Sequence, residues 1–138
     1  MKMNRILYTL MLFIGTAAFG QAYVSTQSHE GKVNFIQPLE TAANFDSSFY
    51  SAGSDGFLVK WSSDGMGEHY QVSDLQIQKV ARNPSTGDVA VYETDGISVH
   101  RVTVIDPRTF GKRFSKRFSD SIASITFSSN GNYLLVGT

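Results

Sequence analysis

Three segments of this chain repeat one pattern at a nearly constant interval, and that interval constrains the fold more than any other feature. Each has two apolar residues three apart, a turn containing Pro, Gly or Asn, and then a short hydrophobic strand. The apolar pairs are Val33 with Ile36, Ile77 with Val80 and Ile122 with Ile125, spaced by 44 and then 45 residues. The strands that follow are FYSAGSDG from Phe49, VAVYETDG from Val89 and YLLVGT from Tyr133. Asp55-Gly56 and Asp95-Gly96 each close one strand and open the next. Asp-Gly between alternating hydrophobics is a strong hairpin signal, because Gly enters positive φ without a Cβ clash. Asn130-Gly131 does the same one hairpin earlier in the third repeat.

The hairpins predict four short strands per repeat. They fall near 32–37, 48–54, 57–62 and 67–72, then near 76–82, 88–94, 97–106 and 112–118, then near 121–127 and 132–138. No segment after residue 23 sustains a helical period. Phe110, Phe114 and Phe118 are spaced as on a helix face, but they also share one face of a strand, and Gly111 between them weighs against helix. The reading is all-β: a partial β-propeller of about two and a half four-stranded antiparallel blades, at about 29–72, 73–118 and 119–138. Closed propellers have about 4–8 blades. The expectation is therefore an N-terminal fragment of a larger propeller, or a chain that self-associates through its open blade edge. With fewer than the three or so stacked repeats normally needed, the isolated 23–138 piece is expected to aggregate or be molten.

Residues 1–22 read as a separate signal peptide. Lys2 and Arg5 form a basic head, Ile6 to Ile14 is an apolar run, and small residues lead to Ala22. Cleavage is expected after Ala22, with Gly20 the second choice. The apolar stretch falls short of the roughly 20 residues that span a bilayer, so membrane association is expected only if this sequence stays uncleaved. The expected location is exported, periplasmic or extracellular. Without Lys2 and Arg5, 10 basic residues face 12 acidic ones, which gives no global attraction to nucleic acid. The chain has no cysteine, which removes disulfides, thiolate metal sites and a cysteine nucleophile.

At the level of motifs the first repeat resembles a unit of the WD40 β-propeller family, in a bacterial, exported setting. His29 stands four residues before Val33, where that family places a Gly-His pair, with Ser28 in place of Gly. SAGSDGFLVKW, Ser51 to Trp61, is similar to the family's Ser-Gly-Ser-x-Asp-Gly strand and terminal Trp, and FSSNGNYLLVGT resembles its Phe-Ser-Pro-Asp-Gly hairpin. The resemblance implies a structural hydrogen-bond network of His29, Ser51, Asp55 and Trp61. In it Ser accepts from the buried indole and donates to His, while Asp takes the other imidazole proton. Gly56, Asp95, Gly96, Asn130 and Gly131 are the matching turn residues. The second and third repeats depart, with Val91 and Leu135 at the Ser position and Ile105 at the Trp position. Asp95 and Asp106 remain where the family's two Asp residues sit. Apolar packing is expected to hold these blades. About four extra residues between Asp95 and Ile105 predict a longer or bulged strand.

No catalytic, metal or cofactor site is expected. Ser, His and Asp invite a hydrolase reading, but no strand–turn–helix elbow surrounds Ser51. His29, His69 and His100 are far apart. Ser63 to Glu68 reads as a turn rather than a calcium loop. Lys112, Arg113, Lys116 and Arg117 fit either an anionic partner or a charged outer strand. The expected function is an exported, non-enzymatic scaffold binding an unidentified protein or peptide. The alternative is the propeller portion of an exported enzyme, a quinoprotein-like oxidoreductase or a peptidase gating domain.

Overall fold

The computed structural model describes residues 29–38 and 48–138, and every regular element within them is a strand. The expected signal peptide and its cleavage site lie outside the described residues. A first sheet is formed by β1 (Val33–Pro38), β2 (Phe49–Gly53), β3 (Phe57–Trp61) and β4 (Gly67–Gln71). A second contains β5 (Gln76–Arg82), β6 (Val89–Thr94), β7 (His100–Ile105) and β8 (Lys112–Phe118). The third is a pair, β9 (Ser124–Phe127) with β10 (Leu134–Gly137). Each four-stranded sheet is an antiparallel meander in chain order. Gly56, Gly96 and Gly131 turn the chain at φ of 77°, 82° and 73°.

Register makes the first two strands of the sheets equivalent residue by residue. Phe49 faces Trp61 in the first, as Val89 faces Ile105 in the second. Both β1 and β5 carry a bulge at the same place, between Val33 and Phe35 and between Ile77 and Lys79. Ile36 faces Ser51, Val80 faces Val91 and Ile125 faces Val136. Val136, not Leu135, therefore takes the Ser51 position in the third repeat. A one-residue slip in phase moves a side chain to the other face, and Leu135 is indeed turned outward, 56% exposed.

The sheets stack face to face with β1, β5 and β9 side by side. Ile77, Val80, Val91 and Ile105 of the second sheet pack on Tyr50, Ala52, Leu58 and Tyr70 of the first. Ala90, Tyr92 and Val102, on its opposite face, pack against Ile125, Phe127, Leu134 and Val136. Burial on both faces explains why β6 alternates little in hydrophobicity: all six of its residues are buried. Leu58, Ile77 and Ile105 have no exposed surface, and each such side chain contributes about 1.5–3 kcal/mol of hydrophobic stabilisation.

The extra residues after Asp95 lengthen the hairpin as expected: β6 and β7 pair at six positions where β2 and β3 pair at four. The Asp95 carboxylate accepts the N–H groups of Ile97, Ser98 and Val99 in the connection before β7 starts at His100. One local expectation changes. Phe110 does not join the face of β8. It sits before the strand with φ 54°, a region few non-glycine residues adopt, and stacks on Tyr70 with ring centroids 4.9 Å apart.

Candidate functional site

The first blade brings His29, Ser51, Asp55 and Trp61 into one continuous network. The Trp61 indole donates to Ser51 Oγ at 2.8 Å, and His29 Nε2 lies 2.8 Å from the same oxygen. His29 Nδ1 lies 2.9 Å from Asp55 Oδ2. One proton order satisfies all four: indole to hydroxyl, hydroxyl to Nε2, Nδ1–H to carboxylate. Asp55 further accepts the backbone N–H groups of Glu30, Gly31 and Phe57. Burial opposes its ionisation, yet the Phe57 N–H and the His29 ring outweigh burial and hold the carboxyl below the ordinary range. The network therefore ties the segment before β1 to the β2–β3 turn. Phe49 stacks on Trp61 with ring centroids 5.7 Å apart, covering its far side.

The second blade holds a network that sequence reasoning missed. Glu93 is fully buried at the register position of Gly53, since Ile77 faces Glu93 as Val33 faces Gly53. Its carboxylate accepts from Arg101 at 2.6 and 3.1 Å, from Ser73 Oγ at 2.6 Å and from the Thr103 hydroxyl. Burial opposes the charge, and the Arg101, Ser73 and Thr103 donors prevail, so the carboxyl is held below its ordinary range. Apolar packing was expected to be the main support of this blade. A buried charge is tolerated here because its oxygens are hydrogen-bonded and one guanidinium neutralises it.

The two networks are exclusive in space. A Cβ on Gly53 would come within 3.0 Å of His29 Nδ1 and 2.9 Å of Lys32 O and Asp55 Oδ1. The first blade fills the pocket from the His29 side and needs no side chain at 53. Ser73, which precedes Ile77 as His29 precedes Val33, is shorter, and Glu93 fills the pocket from the strand. Asp95 matches Asp55 by sequence but turns outward, where the Val99, Ile97 and Ser98 N–H groups push its pKa far below the ordinary value. Asp106 instead anchors the β7–β8 connection, accepting from Arg113 at 2.6 Å and from the Arg108 N–H at 3.0 Å. In the third repeat, Gly131 O accepts from Asn83 Nδ2 at 2.8 Å and Asn130 O from Ser85 Oγ at 2.7 Å. The turn at Asn130-Gly131 is thereby clamped to the second blade.

The remaining candidates resolve into structural contacts. His69 leans on Trp61, and His100 Nδ1 lies 2.8 Å from the Tyr92 hydroxyl. Asp64 caps the β3–β4 turn, accepting from Ser62 and the Met66 N–H. No group of three or more His, Cys, Asp or Glu gathers among the described residues. The basic run on β8 is partly spent: Arg113 pairs with Asp88 and Asp106, and Lys112 donates to Val72 O.

Four-stranded antiparallel meanders, stacked face to face with their first strands adjacent, are blades of a β-propeller. A family model described as an N-terminal beta-propeller domain matches residues 16–138, and the chain belongs to that family. It is 39% identical over 126 residues to a protein of Treponema pallidum (strain Nichols) that carries the name "Uncharacterized protein". The match covers 90% of this chain and 20% of the relative, so the chain spans about a fifth of that relative's length.

Proposed function

We propose that this chain is part of an exported, WD40-type propeller scaffold that binds a protein or peptide, without catalysis of its own. The observation carrying this reading is the placement of β1, β5 and β9. They lie side by side and leave an open groove of about 560 Å³ between them, lined by Asn34, Gln37, Gln78, Arg82, Ser124 and Thr126. Stacked blades behind the groove hold these polar groups on rigid strands, and a preformed polar surface binds with little loss of conformational entropy. The WD40-type reading is supported by the His29–Ser51–Asp55–Trp61 connectivity. Ser51 is buried and its oxygen already takes the indole N–H, which favours a structural network over a nucleophile. Export is supported by the pattern of residues 1–22.

The test pairs affinity capture with a catalytic screen. The full chain, immobilised, is exposed to envelope extract of its own organism while the soluble chain is screened against ester, peptide and sugar substrates. The reading expects a saturable partner displaced by free chain, and no turnover. Turnover that disappears in Ser51→Ala while the fold is kept would make the network catalytic and sink the proposal.

A further inference from the structure

The inner strands are cationic in a chain whose exported part carries more acids than bases. Residues 33–38, 76–82 and 124–127 include Lys79 and Arg82 and no Asp or Glu, and Lys32 immediately precedes β1. All three cations line the grooves along these strands. Lys79 and Arg82 border the one already described, and Lys32 borders an adjoining groove of about 490 Å³ that shares Asn34 and Gln78 with it. None of the three forms an ion pair among the described residues. Lys60, Arg101, Arg108 and Arg113, which lie on other strands or connections, each pair with a carboxylate. Lys116 and Arg117 on β8 also form no ion pair among the described residues but lie outside both grooves. Charges of one sign along a groove with low-dielectric walls raise the local concentration of the opposite charge.

Four amide side chains sit among these cations: Asn34, Gln37, Gln76 and Gln78. Asn34 and Gln78 are the bulge residues of β1 and β5, pushed out of the ladder at equivalent positions. Asn34 donates to Ile77 O at 3.0 Å, which steadies the amide and leaves its oxygen free to accept. Amides offer both donors and acceptors, matching the alternating N–H and C=O groups of an extended chain. Phe35 is the one aromatic residue bordering either groove, which disfavours the stacking that single-stranded nucleic acid uses.

We propose that the groove along β1, β5 and β9 selects an extended acidic peptide segment. Its carboxylates pair with Lys32, Lys79 and Arg82, and its backbone is read by the amides of Asn34 and Gln78. The inference rests on the scaffold reading above and adds the charge of the partner.

The test titrates fluorescently labelled hexaglutamate with the full chain and follows anisotropy. Hexaserine, hexalysine and a single-stranded oligodeoxynucleotide serve as comparisons. Hexaglutamate should bind at least about tenfold more tightly than hexaserine and weaken with added salt, because charge pairs formed in an open groove remain exposed to screening. The double variant Lys79→Glu/Arg82→Glu should lose at least about tenfold, while Lys116→Glu on the outer strand should bind as the parent does. Lys79→Gln/Arg82→Gln keeps polarity and removes charge, so it should fall between parent and reversal if both fold. Equal binding of hexaserine overturns the charge selection and leaves the scaffold reading standing. Preference for the oligonucleotide, full binding by the charge-reversed variant, or no peptide binding overturns the proposal; the capture experiment judges the scaffold separately.

Discussion

Gly53 and Glu93 hold the same register position in successive blades, and the space that one leaves to its neighbours the other fills with a buried carboxylate. Two chemically different networks thus close the same corner of the same sheet. In the first blade, His29 and Asp55 approach from the segment before β1 and from the turn. In the second, the strand itself supplies the charge, with Arg101, Ser73 and Thr103 as donors.

Truncating Glu93 should be among the most damaging single changes in the chain. Glu93→Ala leaves Arg101 and two hydroxyls without their shared acceptor, and breaking a buried pair costs about 3–5 kcal/mol. Glu93→Gln keeps the shape and should cost less. Urea denaturation of parent and variants checks both the size and the order.

At Gly53 the absence of a side chain is what the network requires. Gly53→Ala adds a Cβ against His29, Lys32 O and Asp55, and crowding of this kind costs about 1–3 kcal/mol. His29→Ser in the same molecule removes the ring on one side of the clash. The two changes should therefore cost less together than the sum of each alone in a double-mutant cycle.

Removing the hydroxyl at the centre of the first network should be felt at both of its partners. Ser51→Ala leaves the Trp61 N–H and His29 Nε2 unpaired, and an unsatisfied buried polar group costs about 1–3 kcal/mol. Trp61 is the only tryptophan in the chain. Its fluorescence therefore reports the first blade alone, and its emission should shift in Ser51→Ala before far-ultraviolet circular dichroism changes.

Acid should destabilise both networks. Asp55 and Glu93 have folded pKa values below their unfolded ones. Their contribution is complete above the unfolded carboxylate range near pH 4 and is lost as pH falls through the lower folded values. Thermal melts at a series of pH values should fall below about pH 5. The slope in Glu93→Gln should be shallower, because the linked protonation of Glu93 is gone.

Much of the strand layout was legible because it is encoded locally. Asp55-Gly56, Asp95-Gly96 and Asn130-Gly131 mark turns with no help from distant residues, and alternating hydrophobics fix the strands between them. The His29 network was legible only through its motif spacing. Glu93 was overlooked because its partners are brought in by strand pairing: Ser73 from the connection before β5, Arg101 and Thr103 from β7. The available clue was an acid in VAVYET, a strand otherwise too apolar to carry an unpaired charge. Leu135 was assigned one residue out of phase because LLVG is apolar throughout, so only its pairing with β9 sets which side chains face inward. The capping role of Asp95 was hidden because the same Asp-Gly pair serves a short turn in one blade and a longer one in the next.

The scaffold reading rests on ligand contact at the inner strands, and site-specific photocrosslinking tests it most directly. A photoreactive residue replaces Gln78 on β5 in one version of the full chain and the outward-facing Phe114 on β8 in another, and both are irradiated in the producing cells. The account predicts a discrete protein or peptide adduct from position 78 and none from position 114. Adducts at 114 without any at 78 would contradict it.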